Sequence, residues 1–311
     1  MIVGAGLFPC GFLEASMLKR GILYIATMLG VMIVIGIVVN IICAFFGIYL
    51  TRQGLGTILA VSLFLGFFGS VISLLMSKSI VKATMHVQTI STPRSEEESW
   101  LLREVELIAK RKGIAMPEVG IYPSSEMNAF ATGWNRDAAL VAVSSGILSG
   151  MSRDSLSAVL GHELSHVQNG DMVTMCLVQG IVNTFVYALS YIIAGAAAGF
   201  LGSRDRDDRG SPFIYYMVQN LLQVLFGFLG TLVVLWFSRH REYAADAGSA
   251  EVLGKDRMIN ALLELGSQRV EQKKSASIAA LCIVSGGSPS ELFMTHPTIE
   301  NRVAALRKLP Y

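Results

Sequence analysis

His162-Glu163-Leu164-Ser165-His166 holds two of the five histidines of the chain, with an acid between them. On a helix, positions four apart lie almost one above the other, turned by only about 40°. His162 and His166 would therefore offer two imidazoles to one point in space, with Glu163 on the same half of the helix. Two neutral imidazoles at this spacing suit Zn²⁺, and the neighbouring carboxylate suits a general base for a water activated there. Such chemistry needs more than the pentapeptide. It requires a helix under the histidines, a third ligand, and a strand to hold a substrate.

A catalytic zinc usually has three protein ligands and an open position. Glu242 is the candidate third ligand. It lies 76 residues after His166, but nearly all of that gap is an apolar hairpin that leaves the polar part of the chain and returns to it. Asp246, one helical turn on, suits a hydrogen bond to His162 or His166. Two residues rival Glu242. Asp171 sits five residues past His166 and turns away if the helix persists. His240 sits two before Glu242, so both cannot face one point on a helix. His296 reads either as a locally stabilised residue at a helix start or as an electrophile near the site, a possible transition-state stabiliser for a developing oxyanion. Arg302 carries the same two readings, the plainer one being a surface cation.

The elements needed to position these groups are legible around them. A helix starts near Ser152 and ends around Asn169-Gly170, with Leu156, Val159, Leu160, Leu164 and Val167 as its packing stripe. Residues 118 to 122 and 139 to 144 read as short strands, with a further strand at Asn128-Ala129-Phe130-Ala131-Thr132-Gly133. A three-strand sheet followed at once by the metal helix suits a protease that pairs a substrate strand with a sheet edge. Upstream, Ser95 opens a helix with Glu98 three residues on as a capping box. Leu101, Leu102, Val105 and Ile108 recur at helical spacing, Lys110, Arg111 and Lys112 suit the negative helix end, and Gly113 is a plausible residue just past it. Further helices are expected over 255 to 267 and from Thr295-His296-Pro297 to about Lys308.

Composition places this apparatus at a membrane. Charged residues make up 15% of the 311 residues, well below the soluble average of about 25%, and the mean hydropathy is +0.54. Apolar runs cover 21 to 50, 55 to 76, 172 to 201 and 213 to 237, each long enough for one span. Lys19, Arg20, Lys78, Lys82 and Arg94 flank the first pair, and Arg239 and Arg241 follow the last. By the positive-inside rule these sides are cytoplasmic. About seven residues, or roughly 10 Å of helix, separate His166 from the third run, so the metal would lie near the cytoplasmic membrane face. Gln179, Asn183, Asn220 and Gln223 dilute the second pair and read as interhelical hydrogen bonders.

The net charge of +2 carries no nucleic-acid signal. Cys10, Cys43, Cys176 and Cys282 are scattered and read as reduced packing residues. Residues 1 to 16 lack the basic stretch of a signal peptide, and Met17-Leu18-Lys19-Arg20 looks more like a natural beginning, so they are read as an upstream extension. The expected organisation is an extension over 1-20, a transmembrane hairpin over 21-76, a first catalytic part over 77-171 that begins with a linker over 77 to 94, a second hairpin over 172-237, and a second catalytic part over 238-311.

At these residues the chain resembles the HtpX family of membrane-bound zinc metalloproteases, within the broader M48 peptidases. The matching stretches are Asn128 to Gly133, Gly161 to His166, Asn169-Gly170-Asp171-Met172, Trp236 to Glu242, Ala245 to Ala250 and Glu291 to Pro297. Departures are local: Thr298 stands where a second proline is expected, and Ser152-Arg153-Asp154-Ser155 lacks the usual Pro and Glu. The resemblance implies an α+β protein with four transmembrane helices in two hairpins and a gluzincin-like, zincin-type cytoplasmic catalytic domain. It implies one Zn²⁺ per subunit on His162, His166 and Glu242, Glu163 as base, Asn128 as a substrate-backbone contact and Asp246 in support. It further implies a multi-pass protein of the bacterial cytoplasmic (inner) membrane that cleaves misfolded membrane proteins under stress, with membrane protein substrates and the lipid bilayer as partners and no nucleic acid. Oligomeric state stays open. An intramembrane metalloprotease would carry its metal pair inside a span, whereas the helix before His162 is polar. A catalytically silent membrane scaffold or holdase is the reading from a different class, and the presence of metal pair and base speaks against it.

Overall fold

The computed structural model describes residues 52–202, 212–276 and 296–310. The chain divides into two compact units, Met1–Phe68 with Gly180–Gly227, and Gly69–Gln179 with Phe228–Tyr311. Among the described residues three helices are long and apolar enough to cross a membrane: Gly56–Thr84, Asp171–Gly199 and Phe213–Leu253. The run expected over 21 to 50, the extension over 1 to 16 and the tip of the second hairpin lie outside the described residues.

The first apolar helix is built from α1 (Arg52–Leu63), a π-helical turn (Phe64–Phe68) and α2 (Gly69–Thr84). It runs well past residue 76, so much of the segment expected as a linker is helical. Helices α6 (Asp171–Gly202) and α7 (Pro212–Leu253) are the other two. At Gly66 the first unit has no room for a side chain: a Cβ there would fall 2.4 Å from the backbone nitrogen of Thr184 on α6. Large apolar side chains on α7 stand in the open, with Phe213 and Val224 each 74% exposed, as lipid-facing residues do.

The second unit carries the sheet. Its strands are β1 (Gln88–Thr89), β2 (Glu118–Tyr122), β3 (Ala129–Thr132) and β4 (Leu140–Ser144), in the order β1-β2-β4-β3. β2 pairs parallel with β4, and β1 and β3 pair antiparallel at the two edges. The sheet thus has four strands where three were expected. β1 is two polar, exposed residues, too short to show any alternation. β4 is buried along its whole length, which explains its continuous apolar run.

Around the sheet lie α3 (Glu96–Lys112), α4 (Ser145–Gly150), α5 (Arg153–Asn169), α8 (Lys255–Ala276) and α9 (Ile299–Arg307). The capping chemistry sets their limits. Ser95 accepts from the Glu98 N–H at 3.1 Å, and Glu98 reaches back to the N–H of Arg94. Gly113 ends α3 in the left-handed conformation, φ 63°. Ser152 and Thr298 cap α5 and α9 with their hydroxyls. Both departures from the family pattern therefore fall at helix caps. Leu101, Val105 and Ile108 of α3, Val141 and Val143 of β4, Leu156, Leu160 and Leu164 of α5 and Met258 and Leu262 of α8 form one buried core. Each such side chain stabilises the fold by roughly 1.5–3 kcal/mol through burial. α8 extends to Ala276, beyond the expected 267, and α9 begins at Ile299 behind its Thr298 cap.

Candidate metal and active site

α5 places His162 and His166 one turn apart, and α7 brings Glu242 against them. The three residues form a small triangle, in which the two histidines approach different oxygens of Glu242. His162 Nε2 lies 3.2 Å from His166 Nε2 and 3.5 Å from Glu242 Oε2, and His166 Nε2 lies 3.4 Å from Glu242 Oε1. Zinc ligands at about 2.0–2.1 Å in tetrahedral array are about 3.3–3.4 Å apart. Each separation is close to the edge of a zinc coordination tetrahedron, and the donor set, two imidazoles and a carboxylate, suits that ion.

Each imidazole is fixed from behind. His162 Nδ1 donates to Asp246 Oδ1 at 2.9 Å, and His166 Nδ1 donates to Asp171 Oδ2 at 2.6 Å. These bonds keep a ring proton on each Nδ1 and aim both Nε2 atoms at a common point, where a metal would compete with a second proton. Asp171 reaches His166 because α5 does not persist. Gly170 adopts φ 68° and turns the chain, a conformation that suits glycine. Asp171 is therefore neither a rival ligand nor turned away; it supports the second histidine, while Asp246 serves the first. Arg241 holds this corner by donating Nη1 to the Asp171 carbonyl at 2.8 Å. Burial by itself depresses both imidazoles. The Asp246 and Glu242 carboxylates outweigh it at His162 and raise its pKa, and Asp171 and Glu242 do the same at His166, lifting it to about 9.

Arg302, expected as either a surface cation or a stabiliser, is 9% exposed. Its Nε and Nη2 donate to the two Asp246 oxygens at 2.8 and 2.5 Å, and Nη1 stands 3.6 Å from Glu242. His296 donates Nδ1 to Glu242 Oε2 at 2.7 Å, with its side chain 48% exposed. His240 points away from the cluster; it is exposed and its ring bonds to the Trp236 carbonyl.

Glu163 faces β3. One of its oxygens accepts from the Ala131 N–H at 3.0 Å. Asn128 accepts from the Ser144 N–H at 2.9 Å. By the alternation of an antiparallel ladder, Ala129 and Ala131 then turn their backbone groups away from β4, towards the open edge. Asn128 is exposed at the head of this strand. The buried Ser144 hydroxyl sets that corner, accepting from the N–H groups of Asn128 and Ile147 and donating to the Glu126 carbonyl.

α5 and α7 cross at very short range. A Cβ on Gly161 would fall 2.7 Å from Ser249 Oγ, and one on Gly248 would fall 2.7 Å from Ser165 Oγ. Only small residues permit this approach, and it sets the reach from the histidines to Glu242. Lys112 locks the crossing. It folds inwards instead of serving the end of α3, and donates to Ser165 Oγ at 2.7 Å and to the Gly248 carbonyl at 2.8 Å. Burial lowers its pKa to about 8, with Glu251 only partly opposing. Between that value and the 10.5 of a free lysine, the unfolded chain binds more protons than the folded one. Stability contributed at this site therefore rises with pH across that window. Wild type should gain up to about 3 kcal/mol relative to Lys112→Met between neutral pH and about pH 10. Thermal unfolding of both proteins in detergent along a pH series checks this, and a constant difference would count against it.

The cluster opens into a cavity of about 140 Å³, lined by Met127, Asn128 and Ala129 on one side and by the site residues and apolar side chains of α4, α5, α8 and α9 on the others.

The family model described as peptidase family M48 matches residues 95–310. The chain is 48% identical over 293 residues to "Protease HtpX" of Tolumonas auensis, covering 94% of this chain and all of that protein. It is 46% identical over 299 residues to "Protease HtpX" of Klebsiella pneumoniae, covering 94% and 99%. Among solved structures, that of S. mikatae Ste24p matches with a TM-score of 0.60 over 96% of this chain and 67% of that one, at 18% identity, a likeness of fold. Apolar helices, a small sheet, a three-donor cluster and near-full-length relatives agree: the chain belongs to the HtpX family of M48 peptidases, and is a membrane metalloprotease.

Proposed function

We propose that the chain is a zinc-dependent endopeptidase of the bacterial inner membrane that cleaves misfolded or damaged membrane proteins at the cytoplasmic face. The observation that carries this reading is the cluster of His162, His166 and Glu242, with donor separations of 3.2 to 3.5 Å, beside an acid on the same helix. In this reading those residues hold one Zn²⁺ per subunit. The catalytic domain is zincin-type and cytoplasmic, and the membrane helices number four, one of them within residues 21 to 50.

Bound there, zinc supplies a Lewis acid that polarises the scissile carbonyl and acidifies a water towards a pKa of about 7. The remaining work falls to the chain. Glu163 takes a proton from the attacking water and returns it to the leaving amine. The Ala131 N–H fixes one Glu163 oxygen and leaves the other for that transfer. The outward backbone groups of Ala129 and the Ala131 carbonyl align the substrate backbone as an added strand, with Asn128 as a further contact at its head. His296, half-exposed at the mouth, is the candidate donor to the oxyanion. Arg302 is engaged with Asp246 and acts through His162.

Metal removal tests the reading. Protein purified in detergent should carry one zinc per chain by elemental analysis. A chelator should abolish its cleavage of a reduced, unfolded model protein, and stoichiometric Zn²⁺ should restore it. His162→Ala should neither bind zinc nor cleave. Stoichiometric zinc without any cleavage would move the weight to the scaffold or holdase reading.

A further inference from the structure

The cavity beside the triangle has two chemically distinct parts. Among the described residues, every charged one lining it belongs to the cluster already described: His162, Glu163, Glu242, His296 and Arg302. These groups are engaged with one another, with Asp246 or with the Ala131 N–H. The rest of the lining, Asn128 apart, is uncharged and mostly apolar, with Ile147, Val159, Met258, Leu262, Leu265 and Ile299 as its large side chains. They come from four helices, α4, α5, α8 and α9, and Val159 stands one turn before His162. Ala129 of β3 and Met127, two residues before that strand, form another side. A peptide laid along that edge with its scissile bond at Glu163 has one neighbouring side chain directed to this space.

We propose that this cavity is the specificity pocket of the protease, and that it selects a large, uncharged aliphatic or aromatic side chain on one fixed side of the scissile bond. The proposal rests on the peptidase reading above. Its size follows from the volume. The cavity measures about 140 Å³, and an apolar cavity of about 150 Å³ accepts benzene. Leucine, methionine and phenylalanine therefore fit, and the double ring of tryptophan does not. A charged side chain would lose its water with no free partner in the apolar part, the costliest kind of mismatch. An alanine would leave the space empty and forgo burial. Substrate choice of this kind favours apolar segments that are normally folded away or held in lipid, so a chain exposing them marks itself for cleavage.

The test is cleavage-site mapping by mass spectrometry on reduced, unfolded casein, followed by rate measurements on peptides varied at the selected position, using the full-length protein in detergent. Leucine, methionine or phenylalanine should dominate at one flanking position. Leucine there should exceed alanine by at least about tenfold and aspartate or lysine by at least about a hundredfold in kcat/KM. Leu265, half-buried on α8, provides a variant that tests the wall. Leu265→Lys should lose leucine preference and gain glutamate relative to wild type, and Val159→Ala should extend acceptance to tryptophan. A change in which residue is preferred is a readout that a mere loss of stability does not produce. Glu163-dependent cleavage with equal use of charged and apolar residues at both flanking positions would overturn the pocket and leave the peptidase reading intact. Preferences unchanged in both variants would overturn it as well. Absence of any Glu163-dependent cleavage would overturn the peptidase reading, and this inference with it.

Discussion

Glu163→Gln is expected to cut the rate of peptide cleavage by about 10²–10⁴-fold or more while leaving bound zinc at the wild-type level. The two halves of this expectation have separate structural grounds. The Glu163 carboxylate is not one of the three donors in the triangle, which is closed by His162, His166 and Glu242. Its own contact is the Ala131 N–H at 3.0 Å. A glutamine amide oxygen can accept that same bond, so strand and helix keep their places. What the amide cannot do is take a proton from water and return it to the leaving amine. Zinc analysis and casein cleavage on the same preparation measure both halves together. Robust cleavage by a clean Glu163→Gln protein would falsify the assignment of the base. Lost zinc would instead show that Glu163 helps to build the metal site.

Arg302→Leu should have the next largest effect, and it should act through the metal ligands. The guanidinium fork grips both Asp246 oxygens and is buried with them. Removing it leaves a buried carboxylate with His162 as its remaining partner, a loss that typically costs about 3–5 kcal/mol. Asp246 would relax and His162 would lose its fixed ring. Loss of such support behind a metal ligand lowers affinity by about 10–100-fold. Arg302→Lys should fall between, since an ammonium keeps the charge but cannot make the two parallel bonds. Zinc affinity by competition with a chelator, alongside thermal unfolding, separates the cases. Wild-type zinc affinity in Arg302→Leu would exclude a role for the fork in holding His162.

How far these groups could be seen in the chain itself depended on how local their signals are. Helices α3 and α5 were legible to within a residue or two because Ser95, Gly113, Ser152 and Gly170 act on their own neighbours. The histidine pair was legible because its geometry is set by one turn of helix. Glu242 could be named but not separated from Asp171 and His240 on spacing alone, since the crossing that selects it depends on Gly161 meeting Ser249 and Gly248 meeting Ser165. Asp171 turns away only if the helix continues, and the left-handed turn at Gly170 ends it. Lys112 looked like an ordinary cation at a helix end; only the packing of three distant segments turns it inwards. The Arg302 fork joins residues 56 apart, and β1 is two residues of no apolar pattern. Neither leaves a mark in the local sequence.

The Arg302 fork also imposes an order in time. Among the residues that hold the triangle, it comes last in the chain, 140 positions after His162. On a ribosome the histidine pair, the base and then the third ligand would be made first, with His162 still lacking the brace behind its carboxylate. The centre acquires its complete support only once the helix carrying Arg302 has been synthesised and docked.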